Sequence, residues 1–148
     1  MLGGPADAQQ FTAELKKLKA YYVLGDYLLD TDFLDAVVDT ILKHAAKLNM
    51  FDVTLSLTIY PVTKKDSLHR KLCRDLVTYT LHRGEFAKIN EFDLSSEFLG
   101  DVLADIAPKL AKGIPDTSVA THFKTKGDCD YHEHTRFDKP CYKVRFGI

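Results

Sequence analysis

Two consecutive stretches limit the architectures open to this chain. In FTAELKKLKAYYVLGDYLLD, Phe11, Leu15, Leu18 and Tyr22, then Leu28 or Leu29, recur at helical spacing, with Lys16, Lys17 and Lys19 off the stripe. In DTDFLDAVVDTILKHAAKLN, Leu34, Val37, Ile41, Ala45 and Leu48 do the same behind the cap oxygens of Asp30, Thr31 and Asp32. Stripes of this period are buried by packing helix on helix, and the short link predicts antiparallel neighbours or a tight corner. Gly25 lies inside the first stretch, where glycine costs about 1 kcal/mol relative to alanine. Another backbone is therefore expected to pack closely there.

Farther along, FDVTLSLTIYP alternates apolar Phe51, Val53, Leu55, Leu57 and Ile59 with polar residues, a strand period. A turn with cap chemistry at Asp66 or Ser67 then opens a helix through Leu68, Leu72 and Leu76, ending near Arg83 and Gly84. Another helix begins at about Ser95, with Phe98, Leu99, Val102, Leu103 and Ile106 as its apolar face. Pro108 should kink it or begin a new turn, and Gly113 and Pro115 should stop it. Residues 116–148 lack helical periodicity, and the closing CYKVRFGI alternates as a short strand would.

A chain of 148 residues, 45% hydrophobic, suits one domain with a real core. Its 20 Lys and Arg against 21 Asp and Glu leave a formal charge of -1, so it has no global footprint for nucleic acid or an anionic membrane. The first residues, MLGGPADAQQ, lack the basic and apolar regions of a secretory signal. Charged residues interrupt every apolar run well short of the roughly 18 residues a membrane span needs. The three cysteines are too few for a disulfide scaffold and suit a reducing compartment. A soluble intracellular protein, cytoplasmic or nuclear, is expected.

Two of those cysteines fall in CDYHEHTRFDKPC, residues 129–141. Zinc takes four thiolate or imidazole donors in a tetrahedron. Cys129 and His132 have a spacing one turn can satisfy, and His132 and His134 point to one side of an extended segment. Pro140 stiffens the return of Cys141, so Cys129, His132, His134 and Cys141 are the candidate ligands of a structural zinc. His122 or Asp128 can replace one of them. Reduced side chains in a packed tail, or a Cys129–Cys141 disulfide, remain alternatives.

Other chemistry-bearing residues read more plainly. Cys73, among Leu72, Leu76 and Val77, is a core residue, and His44, His69 and His82 are surface or helix-end histidines. Asp26, Asp30, Asp32 and Asp35 gather at the first corner, where capping and the helix dipole account for them. No nucleophile elbow, P-loop or dinucleotide fingerprint occurs.

Residues 19–42, KAYYVLGDYLLDTDFLDAVVDTIL, and 59–77, IYPVTKKDSLHRKLCRDLV, resemble the helical part of fungal BTB/POZ-domain proteins. Tyr22, Val23, Leu24, Gly25, Asp26 and Leu28 match that family's first helical motif, and Tyr60, Thr63, Ser67, Arg70 and Leu72 its second. His69 stands where the family has leucine. Cys129, Tyr131, His132, His134 and Cys141 are similar to a tail that many members carry. The strands and first helices of a BTB domain have no counterpart before residue 11, so the resemblance implies the trailing helices alone, and the family's dimerisation and adaptor roles transfer poorly.

The resemblance also implies that residues 51–60 are helical, against their alternation. The expected fold is therefore all-α. It has a leader at 1–10, a bundle of about five helices at 11–115, and a Cys/His tail at 116–148 that can hold a β-hairpin. The expected function is non-enzymatic protein–protein interaction. Tyr21, Tyr22 and Tyr27 cover more of the first helix than one buried stripe requires, leaving aromatic surface for a protein partner or a second copy. The alternative is a metal-dependent enzyme in which His132 and His134 hold the ion, Cys129 or an aspartate completes the set, and Glu133 is the base.

Overall fold

The computed structural model describes residues 5–48, 52–80, 89–110, 112, 123, 127 and 129–148. The protein is all-α. Its helices are α1 (Pro5–Tyr27), α2 (Thr31–Leu48), α3 (Leu55–Ile59), α4 (Leu68–Thr80), α5 (Ser96–Leu110) and α6 (Tyr142–Phe146). The 3-10 segments η1 (Tyr60–Val62) and η2 (Glu133–Phe137) lie between them. Helix α1 starts at Pro5, inside the expected leader, because proline fits the first turn and the alanines and glutamines after it favour helix.

One core joins these elements. Phe11, Leu15, Leu18 and Tyr22 of α1 meet Val37, Val38, Ile41 and Ala45 of α2, with Leu55 and Ile59 of α3, Leu72, Cys73, Leu76 and Val77 of α4, and Phe98, Val102 and Ile106 of α5. Phe123 and Tyr131 from the tail belong to the same cluster. The α1 stripe ends at Tyr22, since Leu28 and Leu29 are exposed, and Leu103 of α5 also faces solvent. Cys73 is fully buried and its thiol is pushed up to about 12 by desolvation, as an inert core residue should be. The close approach at Gly25 comes from side chains, not backbone: a Cβ there would lie 2.8 Å from both Leu34 and Phe33.

The alternating stretch before Pro61 forms α3 and η1. Its start is built from local bonds: the Asp52 carboxylate accepts the Thr54 amide at 2.9 Å, and the Ser56 hydroxyl donates to the Val53 carbonyl at 2.8 Å. Such bonds offer the backbone an alternative to a sheet ladder. The closing stretch, expected as a strand, is helix α6. No strand occurs among the described residues, so an extended end would have no ladder to join. Gly147 at φ 67° ends α6 in the left-handed cap conformation.

Arg70 of α4 ties the second motif together. Its Nε donates to Thr63 Oγ1 at 3.0 Å, its Nη2 to the Tyr60 and Thr63 carbonyls, and its Nη1 to Glu97 of α5 at 2.6 Å, with the guanidinium 4.5 Å from the Tyr60 ring centroid. Ser67 caps α4, accepting the His69 amide at 3.1 Å. No helix among the described residues is long and apolar enough to cross a membrane.

Candidate metal centre

Helix α2 holds the tail through a row of carboxylates. Asp32, Asp35 and Asp39 recur at three and four residues, so they share one face. Asp32 pairs with Arg145 of α6. Asp39 accepts from the Tyr142 hydroxyl at 2.6 Å, the Lys143 ammonium at 3.0 Å and His132 Nε2 at 2.8 Å. Burial alone would raise the Asp39 pKa, but these three donors hold it at about 2.

Asp35, fully buried, accepts the Glu133 amide at 2.8 Å, the His134 amide at 3.3 Å and His69 Nε2 at 3.0 Å. Since a carboxylate in this role only accepts, Nε2 of His69 carries the proton and Nδ1 accepts the Tyr22 hydroxyl at 2.7 Å. His69, expected at the surface, is therefore a core residue satisfied at both nitrogens, and Asp35 is no helix cap. Capping falls to Asp30, whose carboxylate accepts the Phe33 amide at 3.0 Å. Tyr22 is buried in this network, leaving Tyr21 and Tyr27 as the exposed tyrosines of α1.

Against this scaffold Cys129, His132, His134 and Cys141 come together with their ligand atoms within 4.8 Å of one another. The geometry assigns the tautomers. His134 Nδ1 lies 3.0 Å from the Lys139 carbonyl, which can only accept, and His132 Nε2 faces Asp39. Each ring therefore turns its lone-pair nitrogen inward, Nδ1 of His132 and Nε2 of His134, at a separation of 3.3 Å. Two facing acceptors repel unless a proton or a metal ion lies between them. Zinc–nitrogen bonds of about 2.05 Å at the tetrahedral angle set an N···N edge of about 3.3 Å. Cys141 Sγ is 3.8 Å from His132 Nδ1, a few tenths beyond the roughly 3.5 Å edge that zinc requires.

The outer contacts match what imidazole ligands need, a carboxylate on one ring and a backbone carbonyl on the other. Without metal, burial works against a charged His132, but the bonded Asp39 carboxylate raises its pKa above the ordinary value. The Cys141 thiol is lowered: desolvation opposes the shift, while the Lys143 amide, His132 and Cys129 outweigh it. The group Cys129, His132, His134 and Cys141 can thus hold a metal ion such as zinc. None of the three cysteines is in a disulfide. His122 and Asp128, the substitute ligands, and His82 lie outside the described residues.

Glu133, the base of the enzyme alternative, is engaged elsewhere. Its carboxylate accepts from Ser67 Oγ at the start of α4 and from Arg136 at 2.6 Å, and Arg136 also pairs with Asp66. Sequence reasoning missed Asp35, Asp39 and His69 as site-building residues. The available signals were two acids set beside the apolar stripe of α2 and a histidine where the similar motif carries leucine. No protein-family model, curated protein or solved structure matches this chain.

Proposed function

We propose that the chain is a non-enzymatic protein-interaction module of the fungal BTB type, with its C-terminal segment clamped onto the helical body by a structural zinc ion. The carrying observation is the pair of inward lone-pair nitrogens 3.3 Å apart, each ring fixed from outside by an acceptor. With two cysteines completing the set, four protein ligands leave no open position for substrate, which favours a structural over a catalytic ion. The commitment of Glu133 to Ser67 and Arg136 weighs the same way. Tyr60, Thr63, Ser67, Arg70 and Leu72, on which the BTB resemblance rests, stitch η1, α4 and α5 into the body that would present the binding faces. Reduced thiolate ligands suit a cytoplasmic or nuclear setting.

Elemental analysis of protein purified without chelator tests this. One zinc per chain is expected, and Cys141→Ala should lose most of it. Metal-free protein, or a Cys141→Ala variant that keeps stoichiometric metal with an exchangeable water, would overturn the reading, the latter in favour of catalysis.

A further inference from the structure

We infer that the groove between the α1–α2 corner and α6 is a self-association site, where a second copy of this chain packs across a two-fold axis. The inference rests on the reading of the chain as an interaction module and names one partner for it. The groove encloses about 660 Å³. Leu28, Leu29 and Phe33 form one wall, Phe146 and Ile148 the other.

Leu29 is the informative residue. The end of α1 closes with the Asp30 amide donating to the Gly25 carbonyl and the Leu29 amide to the Asp26 carbonyl, both at 3.0 Å. This pattern places Leu29 at the left-handed position, φ 54°, where glycine is the usual occupant. The side chain that makes this conformation unfavourable is 86% exposed, so no packing within the chain offsets the strain. Ile148 at 83%, Phe146 at 64% and Leu28 at 59% exposure extend the same apolar surface.

The area fits a dimer. With aromatic side chains of about 150–250 Å² each, these residues leave an apolar surface on the order of several hundred Å². That reaches or exceeds the roughly 300–600 Å² of the largest patch on a typical monomer and approaches the about 800 Å² per partner of a standard interface.

The rim charges favour a second copy over a foreign partner. Asp30 stands on one wall and Lys139 near the other, and among the described residues neither has an ion-pair partner, whereas Arg145 is paired with Asp32. A two-fold axis along the groove sets each wall against the opposite wall of the other copy, bringing Asp30 to Lys139 twice over. Equal and opposite charges on one surface are what a self-complementary contact needs.

The test is sedimentation mass over a concentration series, on the full chain with its metal content measured in the same samples. The wild type should dimerise reversibly. Leu29→Gly should weaken the dimer by at least about tenfold while melting at the same or a higher temperature at concentrations where both proteins are monomeric, because glycine relieves the backbone and removes no core contact. Lys139→Glu should weaken it as well. A wild type that stays monomeric at every concentration overturns the inference, as does a dimer indifferent to both substitutions. A monomer whose groove instead takes up a leucine-rich amphipathic peptide also overturns it, giving the surface to a foreign partner. Metal content decides the zinc reading separately: a metal-free dimer sensitive to Leu29→Gly would keep this inference and sink the zinc clamp.

Discussion

Asp35 accepts three N–H groups from two other parts of the chain, the tail amides of Glu133 and His134 and the α4 ring of His69. Removing its carboxylate leaves those donors buried without acceptors, a cost that exceeds the value of the bonds themselves. Asp35→Ala should destabilise the protein by about 3–5 kcal/mol. Asp30→Ala, which within one chain deletes an exposed cap, should cost about 1 kcal/mol in the monomer. Urea unfolding of both variants checks this, and equal costs would mean that water satisfies the Asp35 partners. Reading along the chain, both are simply aspartates near a helix start. Which one is buried depends on where the tail docks, and spacing within one helix carries no record of that. For the same reason His69 reads as a surface residue until Tyr22 and Asp35 close around its two nitrogens.

Among the elements, α1 and α2 follow their apolar stripes, because an amphipathic helix carries its own period wherever it packs. Helices α3 and α6 are too short for period to decide them. Neither has a ladder partner among the described residues; local side-chain bonds start α3, and the left-handed Gly147 closes α6. The turn before α3 is also held to α1, with Lys19 Nζ 3.0 Å from Asp52 and 2.5 Å from the Thr54 hydroxyl. Burial pushes the Asp52 carboxyl up, but Thr54 and Lys19 together bring it below its ordinary value of 3.8. A carboxyl lowered on folding contributes stability above its unfolded value and loses it as pH falls through the folded one. Melting temperatures from neutral pH down to about pH 3 should therefore fall more steeply for the wild type than for Asp52→Asn. Parallel curves would show that the Lys19–Asp52 link contributes nothing to acid sensitivity.

At the scale of the whole molecule, the body is joined by apolar packing and the C-terminal segment mostly by charge. Of residues 129–148 only Tyr131 and Tyr142 bury an apolar side chain; the other attachments run through Asp32, Asp35 and Asp39 of α2, through the Glu133–Ser67, Arg136–Asp66 and Tyr131–Asp75 contacts, and through the candidate metal ligands. A ligand at a hundred times its dissociation constant adds about 2.7 kcal/mol, so chelation should free this segment before it unfolds the body. Limited proteolysis with and without chelator reads that outcome: early cleavage within residues 129–148, with the α1–α5 fragment persisting and most far-UV helical signal retained. Loss of all helix on chelation would instead make the metal part of the core. The paths of α1, α2, α4 and α5 and the four donors set between residues 129 and 141 are properties of the sequence alone, because period and local spacing suffice for them; at residues 51–60 and 142–148 the period points to strand, so the all-α class is not fixed by period. Only the tertiary structure decided that Asp35 and Asp39 serve the tail, that His69 is buried, and that the exposed Leu29 faces α6 across a groove. Those facts arise from contacts between segments up to about a hundred residues apart, and only the packed chain brings such segments within reach of a hydrogen bond.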